Sequence, residues 1–197
     1  MKYRLPNLSL SNVKIATGLS VAILVSGCST IGGDQVSIGS ADEINQNITL
    51  KQDPLTRSAD LQTASYWTKC DGKFDGAGYR YRTSVYANGH QQTQLYVRLK
   101  SSQGPYGINK AFDDDGEQYK VTVYQPENKS DSVVYENFAL DISPQQLKAA
   151  AEGPLSLHFV GDKNRCDIVV EKPVSWVFDM NLDALLKQVE KLKAMQK

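Results

Sequence analysis

The chain has 197 residues, with 22 lysines and arginines balancing 22 aspartates and glutamates, and only two histidines. This balance argues against a nucleic-acid partner and against a polybasic membrane-binding face, since both need a clustered positive excess. Three cysteines, none in a Cys-x-x-Cys spacing, give no support to dithiol redox chemistry.

At the N-terminus, Lys2, Arg4 and Lys14 are the only charges before an apolar run from Ile15 to Val25, which is followed by Ser26, Gly27 and Cys28. A basic stretch, an apolar stretch and small residues before a cut are the parts of a secretory signal. The run is well short of the roughly 20 residues that span a bilayer, so a permanent membrane helix is not expected. With Cys28 directly after Ser26 and Gly27, the segment resembles the signal of Gram-negative bacterial lipoproteins. The resemblance implies cleavage before Cys28 and acyl chains, palmitate among them, on its thiol. Each buried methylene contributes about 0.8 kcal/mol, so several chains make an anchor that does not come off. Ser29 follows the cysteine, without the aspartate that resembles an inner-membrane retention signal. The expected location is therefore the outer membrane, facing the periplasm.

Residues 28–45 read as a lipidated terminus and flexible tether, because Gly32, Gly33, Ser37, Gly39 and Ser40 crowd a polar stretch. About 15 such residues have a root-mean-square reach on the order of 20 Å. Loss of residues 1–27 removes three basic side chains and leaves 19 against 22 acidic, a net charge of −3. The remaining 170 residues suffice for one domain, expected over 46–197. With Cys28 acylated, Cys70 and Cys166 are left in an oxidising compartment and are expected to form a disulfide.

Tyr79–Val85 and Gln91–Leu99 both alternate with the period of two of a strand half-buried in a core. A two-residue Asn88-Gly89 turn would set Arg82 opposite Leu95. A three-residue loop, Ala87-Asn88-Gly89, sets Tyr81 opposite Leu95, Tyr79 opposite Val97 and Thr83 opposite Thr93. That register keeps like with like, and it places Gly89 in a left-handed conformation that costs glycine nothing. The other face then pairs Arg80 with Tyr96 and Arg82 with Gln94, a wet surface with cation–π character.

Tyr119–Tyr124 and Val133–Ile142 suggest a second hairpin around a polar loop at 127–131, with Phe138, Leu140 and Ile142 inward. Ser143, Pro144 and Gln146 form a helix start that Gly153 ends. Leu155, Leu157 and Phe159 alternate, a turn follows at 161–164, and Cys166, Ile168 and Val170 alternate in a partner strand that Pro173 stops. From Val174 the period becomes helical: Phe178, Leu182, Leu185, Leu186, Val189 and Leu192 form one stripe, and lysines gather at the end that suits them. The expected fold is α+β and mainly antiparallel β, a sandwich or curved sheet, with a short helix and a C-terminal amphipathic helix packed on the sheet. This order, with its Glu136-x-Phe138-x-Leu140-x-Ile142 strand and its Leu155-x-Leu157 strand leading to Gly161, resembles small β-rich bacterial lipoproteins. The resemblance implies a compact periplasmic domain and no particular activity.

Candidate chemistry is sparse. His90 and His158 read as surface residues, since no nucleophile motif accompanies either. Asp113-Asp114-Asp115-Gly116 reads as a solvated acidic turn: an EF-hand frame with Gly116 at its sixth position puts Ala111 and Thr122 where oxygen ligands belong. Gly76-x-Gly78 lacks the third glycine of a phosphate loop and reads as loop flexibility. Tyr66, Trp67, Phe74, Tyr79, Tyr81, Tyr86, Tyr96 and Tyr106 make an aromatic-rich region that core packing largely accounts for. Within it, an exposed group of Arg80, Arg82, Tyr86 and Tyr96 is the candidate partner surface. No catalytic residue, metal or cofactor is expected. The expected role is a membrane-tethered binding or envelope-assembly module with a protein partner. One alternative is a periplasmic inhibitor or immunity lipoprotein using a protruding loop at 101–111. Another is an envelope hydrolase combining Glu136 or Asp113 with His158.

Overall fold

The computed structural model describes residues 37–53, 58–70, 76–86, 88–102, 104–124, 127–130 and 133–195. The signal-like segment and Cys28 lie outside these residues, as do Phe74, Ala87 and Asp131. In chain order the elements are α1 (Ala41–Gln46), β1 (Thr49–Asp53), β2 (Ser58–Gln62), β3 (Tyr66–Thr68), β4 (Gly76–Tyr86), β5 (Gln91–Ser101), β6 (Ile108–Asp113), β7 (Gln118–Tyr119), β8 (Val121–Val123), β9 (Glu127–Ser130), β10 (Val133–Asp141), α2 (Pro144–Glu152), β11 (Leu155–Gly161), β12 (Arg165–Val170) and α3 (Lys172–Met195). The fold is α+β with antiparallel strands in two sheets. The larger runs β1-β2-β4-β5-β10-β8, with β3 added to β4 and β9 to β10; the smaller runs β12-β11-β6-β7.

The β4–β5 hairpin takes the expected register: Tyr79 faces Val97, Tyr81 faces Leu95, Thr83 faces Thr93 and Arg80 faces Tyr96. Gly89 closes it at φ 87°, its N–H donating to the Tyr86 carbonyl at 2.8 Å. The inward face of this sheet buries Tyr79, Tyr81, Leu95, Val97, Leu99, Phe138 and Leu140 completely. Phe138 meets Phe159 of the smaller sheet edge-on at 4.8 Å, and Tyr81 stacks on Phe178 of α3 at 5.1 Å. These two ring contacts join the larger sheet to the two elements that cover it, and burying each such side chain stabilises by roughly 1.5–3 kcal/mol. The Tyr81 hydroxyl lies 3.1 Å from the Ser175 hydroxyl, and burial raises the Tyr81 pKa to about 12 against the pull of that hydrogen bond.

Both longer helices form as expected. Ser143 accepts from the Gln146 N–H while the Gln146 side chain accepts from the Ser143 N–H, with Pro144 in the first turn. Helix α3 buries Val174, Val177, Phe178, Leu182 and Leu185. Cys70, just beyond β3, and Cys166 of β12 form a disulfide across 96 residues with Cα atoms 5.4 Å apart, so the bridge ties the two sheets together.

Several expectations are corrected. The segment over 119–124 makes the expected antiparallel pair with Val133–Ile142 only over Val121–Val123, opposite Leu140, Ala139 and Phe138, and its first residue belongs to the other sheet. Tyr119 is buried against β6, the chain turns over at Lys120, and Val121–Val123 continues in the larger sheet. The chain thus crosses from one sheet to the other, and the Lys120 carbonyl still accepts from the Asp141 N–H at the crossing. The polar stretch expected to be a loop at 127–131 supplies β9, because pairing with β10 uses backbone groups and needs no apolar side chains. Gly76 and Gly78 open strand β4, and a Cβ at Gly76 would fall inside the Trp67 ring, so close ring contact explains that glycine. The stretch expected as tether is folded from Ser40 onward: Ser40 and Glu43 form a capping box and Ile44 is buried. A helix of six residues is marginal alone, and packing of Ile44 together with an Asn181–Asn45 hydrogen bond of 2.9 Å holds it to α3. Among the described residues no helix is long and apolar enough to cross a membrane.

Candidate functional site

Even-numbered residues of β4 and β5 point away from the core, and at their centre is Tyr96. The Arg80 guanidinium lies over its ring at 5.1 Å and that of Arg82 at 5.6 Å, while the Tyr124 ring covers a third side at 5.8 Å. Tyr96 is consequently 6% exposed, which corrects the expectation of an exposed tyrosine on a wet face. Burial, the leading influence, raises its pKa although Arg80 pulls the other way. The sheet shields its own aromatic with long cationic side chains, whose methylenes pack while their charged ends remain near water.

The two arginines are not equivalent. Arg82 donates from Nε and Nη2 to Gln94 Oε1 at 3.1 and 2.7 Å, and from Nη2 to the Tyr124 hydroxyl at 3.3 Å. Gln94 passes the connection on to Asp141 at 2.9 Å, and Asp141 pairs with Lys120 at 3.1 Å. Burial works against the Asp141 carboxylate, yet Gln94, Lys120 and Gln92 together hold its pKa below the usual carboxylate range. Arg80 stands outside this relay. It has no ion pair among the described residues, its Nε is buried without a hydrogen-bond partner, and burial lowers its pKa. The third arginine on this face, Arg98, lies 4.0 Å from the centre of the Tyr135 ring.

Arg80, Arg82 and Tyr96 therefore come together as the sequence suggests, whereas Tyr86 does not join them. It lies six residues further along β4, roughly 20 Å away, and stacks on His90 at 5.7 Å. Gln94 joins the group opposite Arg82, as the register predicts, and Tyr124 and Asp141, which sequence reasoning missed, complete it. Tyr124 and Asp141 belong to predicted strands, but which strand lies beside β5 is decided by long-range pairing.

A second constellation surrounds His158. Its Nδ1 is 2.9 Å from Asp167 Oδ1 and its Nε2 is 2.8 Å from Asp114 Oδ1. These contacts raise the histidine pKa, Asp167 contributing most. Asp114 is held below the usual carboxylate range by the Ser156 hydroxyl first and by His158 second. The residues proposed to work with His158 are engaged elsewhere. Asp113 accepts from the Glu117 N–H and the Tyr119 hydroxyl, closing the expected acidic turn. Buried Glu136 accepts from the N–H groups of Tyr106 and Gly107 at 2.7 and 2.8 Å. That carboxylate holds the backbone of 106–108, and Tyr106, Ile108 and Ala111 are buried, so over these residues the stretch expected to protrude is folded onto the core. Beside the acidic turn is an open cleft of about 530 Å³ lined by Asp115, Glu117, Gln146 and Ser156 among others. Among the described residues, no three His, Cys, Asp or Glu side chains are grouped to hold a metal ion.

The fold and the site define an antiparallel α+β domain with an arginine–tyrosine outer face and a carboxylate-clamped histidine. Comparison with family models, with curated proteins and with solved structures finds no match to the chain.

Proposed function

We propose that the chain is a lipoprotein, cut before Cys28 and held by acyl chains on the periplasmic side of the outer membrane, that binds or helps assemble another envelope component. The observation carrying the binding role is Arg80: a guanidinium pre-set over Tyr96, lacking an ion pair among the described residues, on the face of a rigid sheet. Such a group suits a carboxylate or phosphate on a partner, because its fork geometry is already ordered and Arg82 is held beside it by Gln94. Anchoring rests on the N-terminal pattern ending in Cys28, and the Cys70–Cys166 disulfide agrees with an oxidising compartment.

Cross-linking in intact cells followed by pull-down tests the binding role. Wild type is expected to recover a partner that Arg80→Glu loses while remaining folded and membrane-bound. Recovery of nothing above background, or equal recovery by both, overturns it. For the anchor, Cys28→Ser is expected to accumulate uncut and without acyl label; normal cleavage and membrane retention of this variant overturn it.

A further inference from the structure

Resting on the same anchored reading but concerning a different face, we propose that the outward side of α3 around Trp176 and Met180 lies against the phospholipid surface that holds Cys28. The two side chains stand one turn apart and are 43% and 44% exposed, while the opposite side of the helix buries Val174, Val177, Phe178, Leu182 and Leu185. At 3.6 residues per turn, Trp176, Met180, Asp183 and Lys187 share one stripe near the middle of the exposed arc. A tryptophan and a methionine there make an apolar spot that no described element covers.

The chain itself says what surface is near. Ser40 caps α1, and α1 is fastened to α3 through Asn45 and Asn181. Asn181 adjoins Met180 and is five residues, roughly 7.5 Å of helix rise, from Trp176. Cys28 is twelve residues before Ser40, a distance that even a fully extended chain cannot stretch beyond roughly 42 Å. The anchor point therefore lies within that reach of Ser40, so the domain is kept at high effective concentration against the bilayer, and an exposed apolar spot can decide which of its faces meets the surface. Two side chains alone would hold a free protein poorly. On an anchored one they need only choose its orientation.

The chemistry fits an interface. Tryptophan has an apolar body with one N–H and settles at the headgroup level, and methionine adapts its shape to an irregular surface. Lys172 and Lys187 flank the pair on exposed positions, and the exposed carboxylates Glu171, Asp183 and Glu190 balance them. Asp179, further round the helix, is held above the usual carboxylate range by burial and by Asp183, against the pull of Lys148 of α2.

The test uses the full acylated protein, purified from membranes and reconstituted into phosphatidylethanolamine–phosphatidylglycerol vesicles with bromine on the lipid chains. The chain has two tryptophans, so Trp176→Phe leaves Trp67 as an internal control. Bromine is expected to quench wild-type emission, Trp176→Phe to abolish the quenching, and Met180→Asp to reduce it. The mass of the N-terminal peptide is measured on the same sample. An acylated protein whose emission is unquenched, or quenched equally after Trp176→Phe, overturns the docking and leaves the anchor standing. A Cys28 without acyl chains overturns both.

Discussion

His158 and Asp167 are cross-strand partners on β11 and β12, with Nδ1 and Oδ1 2.9 Å apart, and the other ring nitrogen of His158 meets Asp114 at 2.8 Å. A neutral imidazole has one N–H and can donate to only one of these carboxylates, so the double contact is a feature of the charged ring. The raised histidine pKa means that this stabilisation is complete below about 6.5 and is lost as pH rises through the folded-state value. At the acid end, the depressed pKa of Asp114 means that its share is lost as pH falls through that value. The difference in melting temperature between wild type and His158→Asn is expected to shrink from about pH 6 to about pH 8.5, following the His158 ring titration by NMR. A difference that stays constant over that range would refute the bridge.

Tyr81 and Ser175 share a buried hydrogen bond of 3.1 Å between the larger sheet and α3. Removing either hydroxyl leaves the other buried without this partner, at a cost of about 1–3 kcal/mol; removing both avoids that penalty. Tyr81→Phe and Ser175→Ala are each expected to lower stability in urea, and the double variant to lose less than their sum. Strict additivity would mean that the two hydroxyls are uncoupled.

The Glu136 carboxylate holds the backbone of 106–107 from beneath. Glu136→Ala removes a charged acceptor and strands buried N–H groups, so a loss of about 3 kcal/mol is expected, with faster proteolysis near Gly104 and Gly107. Glu136→Gln keeps one acceptor oxygen and should lose less. Equal stability of the alanine variant and wild type would show that the loop holds itself.

The Cys70–Cys166 bridge closes a span of 96 residues. Replacing both cysteines with serine is expected to cost about 2–5 kcal/mol, most of it through a less constrained unfolded chain. Denaturant curves compare the two proteins, and thiol titration of the denatured wild type without reductant should find Cys70 and Cys166 blocked. Two reactive thiols at those positions would contradict the bridge.

Much of the β4–β5 hairpin was legible because its evidence is local. Alternation assigns the faces, and one glycine three residues beyond the strand end selects the register. Helix α2 was readable from Ser143, Pro144 and Gln146 for the same reason. The candidate face was only partly legible. Arg80 and Tyr96 follow from the hairpin, but Tyr124 and Asp141 reach it only because β10 lies beside β5 and β8 beside β10.

Periodicity and caps thus specify the α+β class, the first hairpin and the course of α2 and α3, since each depends on neighbours in sequence, while the choice of Cys70 and Cys166 among three cysteines followed from the expectation that Cys28 is acylated. Tertiary packing alone decides that the chain changes sheets at Lys120, that the Tyr124 ring closes over Tyr96, and that Asp114 reaches His158 from another element. The last two join residues 28 and 44 positions apart, and such contacts form only when the whole core closes.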